Sequence, residues 1–295
     1  MNDFISASHD VAFKALFVRN PDILKAFLND SLDLNLTDDD ALKIMSSEDI
    51  PNSADGKLSR FDVHVRTAKR RYNIEMQASR NGFGWRRVMY YWGRLYIGDF
   101  KSGDRYEDLE QTYSVNVLGF SCLKNENYHS EFAILEKNCL ESPTDVLSIH
   151  VFELPKVPAE LLRDDRAQDW MRIIKADSEE KLESIRTRTE DPMIKKAIDA
   201  ICDLNADERL REQIRVQEKA LLDYGSGIAD AEARGETRGI AIGEARGRAE
   251  GRAEGRAEGR AEGRAEACFD FVENMRRNGF SEEQIKLVVG EGYEG

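Results

Sequence analysis

Cysteine is scarce in this chain, and so are long apolar runs. The four cysteines, Cys122, Cys139, Cys202 and Cys268, form no CxxC pair or ligand-like cluster, which argues against a disulfide scaffold and a zinc site. No apolar run approaches the ~20 residues needed to span a bilayer. The first ten residues (MNDFISASHD) contain no basic segment followed by an apolar one. We therefore expect a cytoplasmic protein with no membrane partner.

Positive charge is also in deficit, because the formal net charge is -13 at pH 7. Such a charge ordinarily argues against a nucleic-acid partner, since phosphate binding needs cations. Residues 57–94 reverse the argument, because this segment contains ten basic residues and only two acidic ones. Aromatic residues are interleaved with the basic ones. This combination suits DNA as the partner. The expected contacts with the DNA backbone are Arg70, Arg71, Arg80, Arg86 and Arg87.

Residues 60–77 have the clearest secondary-structure pattern. Apolar and polar residues alternate strictly in residues 60–66 and again in residues 72–77, with four or five polar residues between the two runs. This pattern predicts an antiparallel hairpin. If both apolar faces are buried together, the numbers of paired residues add to an odd value, and a sum near 137 sets Asp62 opposite Glu75.

Two converging carboxylates suit metal-assisted hydrolysis of a phosphodiester. Hard divalent cations such as Mg²⁺, and likewise Mn²⁺ or Ca²⁺, are held by one or two carboxylates together with water and substrate oxygens. Asp62 and Glu75 are the expected metal ligands. Gln77, on the same face as Glu75, is expected to hydrogen-bond the attacking water or a phosphate oxygen. His64 shares this face, but a lone histidine is more often a surface or supporting group.

Several blocks of the chain resemble the recombination-promoting nucleases, a transposase-like group within the PD-(D/E)xK nuclease superfamily. The resemblance covers residues 10–156, and its order and spacing make it more specific than any one block. The matching blocks are residues 10–17 (DVAFKALF), 61–63 (FDV), 74–77 (IEMQ), 149–156 (IHVFELPK), and Arg86 and Arg87 with Tyr90 and Tyr91.

The resemblance implies an α/β fold with a restriction-endonuclease-like core, that is, a mixed sheet flanked by helices, followed by an α-helical C-terminal region. It also implies Asp62 and Glu75 as metal ligands, with Gln77 in place of the superfamily's usual lysine. Phe61 stands where the motif has proline. Asp10 is a possible auxiliary ligand from the first helix, although its spacing to Lys14 is also that of a surface ion pair.

The C-terminal half has no catalytic pattern. We expect a nuclease domain over residues 1–157, a helical region over 158–233, a Gly-Arg-Ala-Glu repeat over 234–266 and a small helical tail over 267–295. A glycine occurs at every fourth residue from Gly235 to Gly263. Two interpretations of the repeat stay open: a helical arm that forms a homo-oligomer, and a flexible polar spacer.

The leading functional prediction is a divalent-metal-dependent DNA endonuclease with little sequence preference that promotes recombination. A catalytically degenerate DNA-binding or scaffold protein is the alternative, and a transposase is a third. The intact set of Asp62, Glu75 and Gln77 favours the enzyme, because a degenerate relative is expected to lack a carboxylate.

Overall fold

The structure is a computed structural model that describes residues 4–45, 63–159 and 165–290. The chain divides into two units, Met1–Gln217 and Glu218–Gly295. Within the described residues, no helix is both long enough and apolar enough to cross a membrane.

The first unit alternates helices with the strands of one sheet. In chain order its elements are α1 (Asp10–Arg19), α2 (Pro21–Leu32), β1 (Lys43–Met45), β2 (Val63–Arg66), β3 (Arg70–Gln77), α3 (Trp85–Ile97), β4 (Gln111–Leu118), β5 (His129–Phe132), β6 (Leu147–Glu153), α4 (Arg166–Lys175), α5 (Glu179–Arg186) and α6 (Pro192–Ala206).

The sheet is mixed, with strand order β1-β2-β3-β4-β6-β5. Strand β2 is antiparallel to both β1 and β3, strands β3, β4 and β6 run parallel, and β5 is antiparallel to β6. Helix α3 makes the crossover between β3 and β4, which parallel neighbours require. The predicted mixed sheet is therefore confirmed.

The predicted hairpin is confirmed, and so is its register over the described residues. Val63 pairs with Ile74 and His64 with Asn73, so the residue numbers add to 137. The apolar faces of both strands are buried together, as the alternation requires. The expected pairing of Asp62 with Glu75 involves a residue outside the described ones.

Helices cover both faces of the sheet. One face packs Tyr72, Ile74 and Val115 against α1, α2, α4 and α6 in the larger core. The helices after residue 158, predicted as a separate region, contribute to this same core, where Trp170 is fully buried against Phe27. The other face lies under α3, where Val88 packs on the β4 and β6 side chains. The polar face of β3 also lies under α3, because Asn73, Glu75 and Gln77 line one pocket with Arg87, Val88 and Tyr91.

The second unit contains most of α7 (Glu208–Arg277) and all of α8 (Glu282–Val289). The Gly-Arg-Ala-Glu repeat is helical, as the first of the two interpretations of the repeat supposes. Its side chains are exposed. Gly279 follows the end of α7 with a φ of 84°, and the predicted capping box of Ser281 and Gln284 opens α8.

Candidate active site

A small pocket between β3, β4 and α3 contains the predicted site residues Glu75 and Gln77. Its volume is about 20 Å³, which is room for about one water molecule. Both side chains are half-buried and point to the α3 side of the sheet, because they lie at odd positions of β3. The residues that line the pocket are Asn73, Glu75, Gln77, Phe83, Arg87, Val88, Tyr91, Ser114, Asn116 and Leu118.

Asn73 supports Glu75 from two residues earlier on the same strand. Its Nδ2 donates to Glu75 Oε1 over 3.2 Å. The side chain is 1% exposed, and its Oδ1 has no hydrogen-bond partner among the described residues. A buried acceptor without a donor costs roughly 1–3 kcal/mol. The pocket therefore contains an oxygen ready to accept from a water molecule or to bind a cation.

Gln77 is oriented by the loop that follows β3. Its Nε2 donates to the carbonyl oxygens of Ser79 and Asn81, each over 3.2 Å. An amide nitrogen has two hydrogens, and both are used here. Gln77 therefore offers only its Oε1, an acceptor. It can accept from water, as predicted, but it cannot donate to a phosphate oxygen in this arrangement.

Strand β4 forms the floor of the pocket. Ser114 lies beside Asn73 and Asn116 beside Glu75 in the parallel ladder. Asn116 Nδ2 donates to Ser114 Oγ over 3.1 Å. Sequence reasoning missed Asn73, Ser114 and Asn116. The sequence feature that could have identified them is the alternation of polar and apolar residues along β3 and β4. In central parallel strands, which are covered on both faces, such an alternation indicates a buried row of polar side chains.

Helix α3 supplies the wall of the pocket. Arg87 reaches back to the preceding loop, where its Nη1 donates to Gly82 O over 3.2 Å. Its guanidinium lies 5.3 Å from the centre of the Tyr91 ring, within the range of a cation–π contact. Gly82 has a φ of 83°, a left-handed turn that suits glycine. Among the described residues that line the pocket, Arg87 is the one cation.

The five arginines predicted to contact DNA separate into groups. Arg80, Arg86 and Arg87 are exposed. Arg87 lines the pocket, and Arg80 donates to Ser121 O over 3.4 Å. Arg70 is half-buried at the opposite end of β3 and donates to Gln111. Because its position in β3 is even, Arg70 faces away from Glu75, so we leave it out of the proposed DNA surface.

Arg71 requires a correction. Its side chain is 8% exposed and lies 2.8 Å from Glu110 and 3.3 Å from Asp99, and it also donates to Leu95 O over 3.0 Å. The guanidinium thus ties the end of α3 to the sheet. A buried cation with carboxylate partners is not available to a DNA phosphate.

Three further residues complete the predicted set. Asp10 accepts from Gln217 over 2.6 Å and lies 3.1 Å from His9 Nδ1, and it is not among the residues that line the pocket. His64 is 9% exposed, opposite Asn73, so it is an interior group. Asp62 lies outside the described residues.

The oxygen atoms that line the pocket partly fit the ligand preference of a hard divalent cation. Glu75 supplies a carboxylate, and Gln77 Oε1 and Asn73 Oδ1 supply neutral amide oxygens, and oxygen is the ligand type that Mg²⁺ and Ca²⁺ prefer. No group of three His, Cys, Asp or Glu residues suited to a metal is present among the described residues. An ion here would therefore be held by few protein ligands, which is usual for Mg²⁺ beside a phosphate.

The first unit is a mixed sheet with helices on both faces, and its hairpin ends in an acid–x–amide pair beside a polar pocket. The sequence profile of the PD-(D/E)XK nuclease family transposases matches residues 7–231. The chain therefore belongs to that family, as the resemblance of residues 10–156 predicted. No curated protein and no solved structure matches the chain.

Proposed function

We propose that the protein is a divalent-metal-dependent DNA endonuclease with little sequence preference that promotes recombination. The observation that carries the proposal is the pocket in which Glu75 and Gln77 lie beside the unpartnered Asn73 Oδ1. Membership of the PD-(D/E)XK nuclease family transposases supports DNA as the substrate.

Asp62 and Glu75 are the proposed ligands of Mg²⁺, Mn²⁺ or Ca²⁺. The described part of the hairpin supports this proposal, because its paired residue numbers add to 137, the sum on which the sequence-based pairing of Asp62 with Glu75 depends. When bound, such an ion polarises the phosphate and lowers the pKa of a water molecule. Asn73 holds Glu75 Oε1, and Gln77 Oε1 accepts a hydrogen bond from the attacking water.

The proposed reaction is hydrolysis of a phosphodiester. One bond forms between the water oxygen and phosphorus, one ester P–O bond breaks, and a proton from the water ends on the leaving oxygen. The products are a phosphomonoester and an alcohol. Arg80, Arg86 and Arg87 are the proposed contacts with the DNA backbone, since all three are exposed in the loop and the helix that follow Gln77.

A transposase is the second candidate, and the description of the matched family favours it. In strand transfer a DNA hydroxyl replaces water as the nucleophile and attacks a phosphodiester of the target DNA, whose own ester bond breaks, so one site can serve both activities. A catalytically degenerate scaffold is the remaining alternative, and cleavage by the purified protein would exclude it. The exposed helical repeat is proposed to form a homo-oligomer.

The test is the conversion of supercoiled plasmid to nicked and linear forms by the purified protein. Cleavage is expected with Mg²⁺, Mn²⁺ or Ca²⁺ and is expected to stop when a chelator is added. Asp62→Ala and Glu75→Gln should each abolish cleavage while circular dichroism stays unchanged, because neither replacement can supply the negative charge of a ligand carboxylate. Undiminished cleavage by a pure Asp62→Ala sample would sink the site assignment.

A further inference from the structure

The pocket of the proposed nuclease is rich in acceptors and poor in positive charge. Its described polar groups are one carboxylate, the side-chain amides of three residues and the Ser114 hydroxyl, besides groups on α3. Phosphodiester hydrolysis concentrates negative charge on the phosphate oxygens in the transition state, and catalysis requires cations or donors aimed at that charge. The position that carries lysine in the superfamily is occupied by Gln77.

Gln77 cannot take over the role of that lysine. It carries no charge, and both hydrogens of its Nε2 are donated to Ser79 O and Asn81 O. The two carbonyl partners also determine the orientation of the Gln77 amide. A carbonyl oxygen can accept a hydrogen bond from Nε2 but not from Oε1, so Nε2 faces the loop. A donor to the phosphate must therefore come from another element of the structure.

Arg87 meets the requirement. It enters the pocket from the first turn of α3, across from Glu75 and Gln77. A guanidinium has five N–H donors in a fixed planar arrangement, and one of them is used at Gly82 O. The cation–π contact with Tyr91 holds the group in place, and in the part of the chain that the structure describes its other donors have no hydrogen-bond partner. Its charge adds to the positive end of the helix, where anions are stabilised.

We propose that Arg87 contacts the scissile phosphate and supplies there the positive charge that Gln77 does not. The lysine's electrostatic role has thus moved from β3 to α3. This assignment rests on the proposed nuclease function. It gives Arg87 a role in the chemical step, whereas Arg80 and Arg86 contribute to DNA affinity alone.

The helix offers a matched control at Arg94. Arg94 lies seven residues further along α3, and its guanidinium is 5.9 Å from the ring centre of Tyr90. Arg94 is therefore the same residue type as Arg87, lies on the same helix and also contacts an aromatic ring. Arg94 does not line the pocket among the described residues, so a general effect of removing a cation from α3 would appear in both variants.

The experiment separates binding from chemistry. Fluorescence anisotropy of a labelled duplex with chelator present measures DNA affinity, and single-turnover cleavage at saturating protein with Mg²⁺ measures the chemical step. Arg87→Ala is expected to slow single-turnover cleavage by roughly 10²–10³-fold and to change affinity by less than about tenfold. Arg87→Lys is expected to recover part of the rate. Arg94→Ala is expected to retain it.

A second-site variant tests the exchange of roles directly. Gln77→Lys in the Arg87→Ala background should recover at least about tenfold in rate, because it returns a cation to the β3 position. The assignment would be overturned if Arg87→Ala, with an unchanged melting temperature, cleaved at the single-turnover rate of the unaltered chain. The proposed nuclease function would then still stand. A failure of Gln77→Lys to improve Arg87→Ala would also count against the assignment. No cleavage by the unaltered chain would overturn both proposals.

Discussion

Asn73 is the buried residue most directly coupled to the proposed chemistry. Asn73→Ala removes the 3.2 Å hydrogen bond to Glu75 and the unpartnered Oδ1 beside it. A hydrogen bond to a charged group contributes about 1.5–3 kcal/mol, so the Mg²⁺ concentration for half-maximal cleavage should rise by about tenfold or more. DNA affinity in chelator should not change. A magnesium requirement equal to that of the unaltered chain would show that Asn73 does not support the ion.

A buried histidine pair on β5 and β6 predicts how stability depends on pH. His150 is 3% exposed, its Nδ1 lies 3.0 Å from His129 Nε2, and its Nε2 faces Ser148 Oγ at 2.8 Å and Glu131 at 3.8 Å. Burial lowers the pKa of His150 to about 3, with His129 as a further cause. Burial also lowers the pKa of His129.

Between about pH 6.5 and pH 3 the unfolded chain therefore binds a proton at His150 that the folded chain does not. Stability falls as the pH drops through this window, by about 1.4 kcal/mol at pH 5.5 from His150 alone. Urea unfolding at about pH 7 and pH 5.5 should show this extra loss in the unaltered chain. His150→Gln, which has no titrating ring, should show a smaller loss. Equal pH dependence of the two proteins would contradict the assignment.

At the scale of elements, the ends of β3 and β4 meet closely beside the site. Gly119 N donates to Gln77 O over 2.9 Å, and a Cβ at residue 119 would lie 2.7 Å from Ala78 O. Gly119→Ala should therefore force the two strand ends apart and cost roughly 1–3 kcal/mol of unfolding free energy. Cleavage should fall with it, since Gln77 and its loop would shift.

The control for this variant is Gly93→Ala. Gly93 lies inside α3, and a methyl group added there would have no neighbouring atom within 4 Å, so alanine should stabilise the helix by up to about 1 kcal/mol. Urea unfolding of both variants measures the two effects, which are expected to have opposite signs. A Gly119→Ala protein as stable as Gly93→Ala would mean that the strand ends yield without cost.

The hairpin and its register could be predicted because both depend on local features: a period of two and a short polar connection. Glu75 and Gln77 follow from the same alternation. The burial of Arg71 and Asn73 could not be predicted, because it depends on α3 covering a face that the pattern places in water. The partners of Arg71, Asp99 and Glu110, lie 28 and 39 residues further along the chain.

At the scale of the whole molecule, DNA affinity should depend on salt through the exposed arginines near the pocket. Replacing Arg80, Arg86 and Arg87 by glutamine should flatten the dependence of log affinity on log salt by about 0.9 for each DNA phosphate that is no longer neutralised. Arg70→Gln is the control, because that residue lies at the other end of β3 and on its other face. A flatter slope for Arg70→Gln alone would place the DNA across that end instead.

The helical repeat gives a prediction about assembly. Deleting residues 247–266 should leave the first unit folded, because exposed glycine, alanine and charged residues bury almost no apolar area. If the repeat pairs with a second copy, the full-length protein should have a larger mass in light scattering than the deletion variant. Added salt should reduce the difference by screening the Arg and Glu side chains. Equal masses at low salt would leave the repeat as a spacer.

The four-residue period of the repeat has a consequence for how this protein can vary. A helix turns about 100° per residue, so each Gly-Arg-Ala-Glu unit completes one turn and about 40° more. Gaining or losing one unit therefore rotates α8 and the end of α7 about the helix axis by a fixed step, and about nine units restore the starting phase. Changes in the number of repeat units can thus reset, in discrete steps, the rotational position of α8 about the helix axis relative to the start of the repeat.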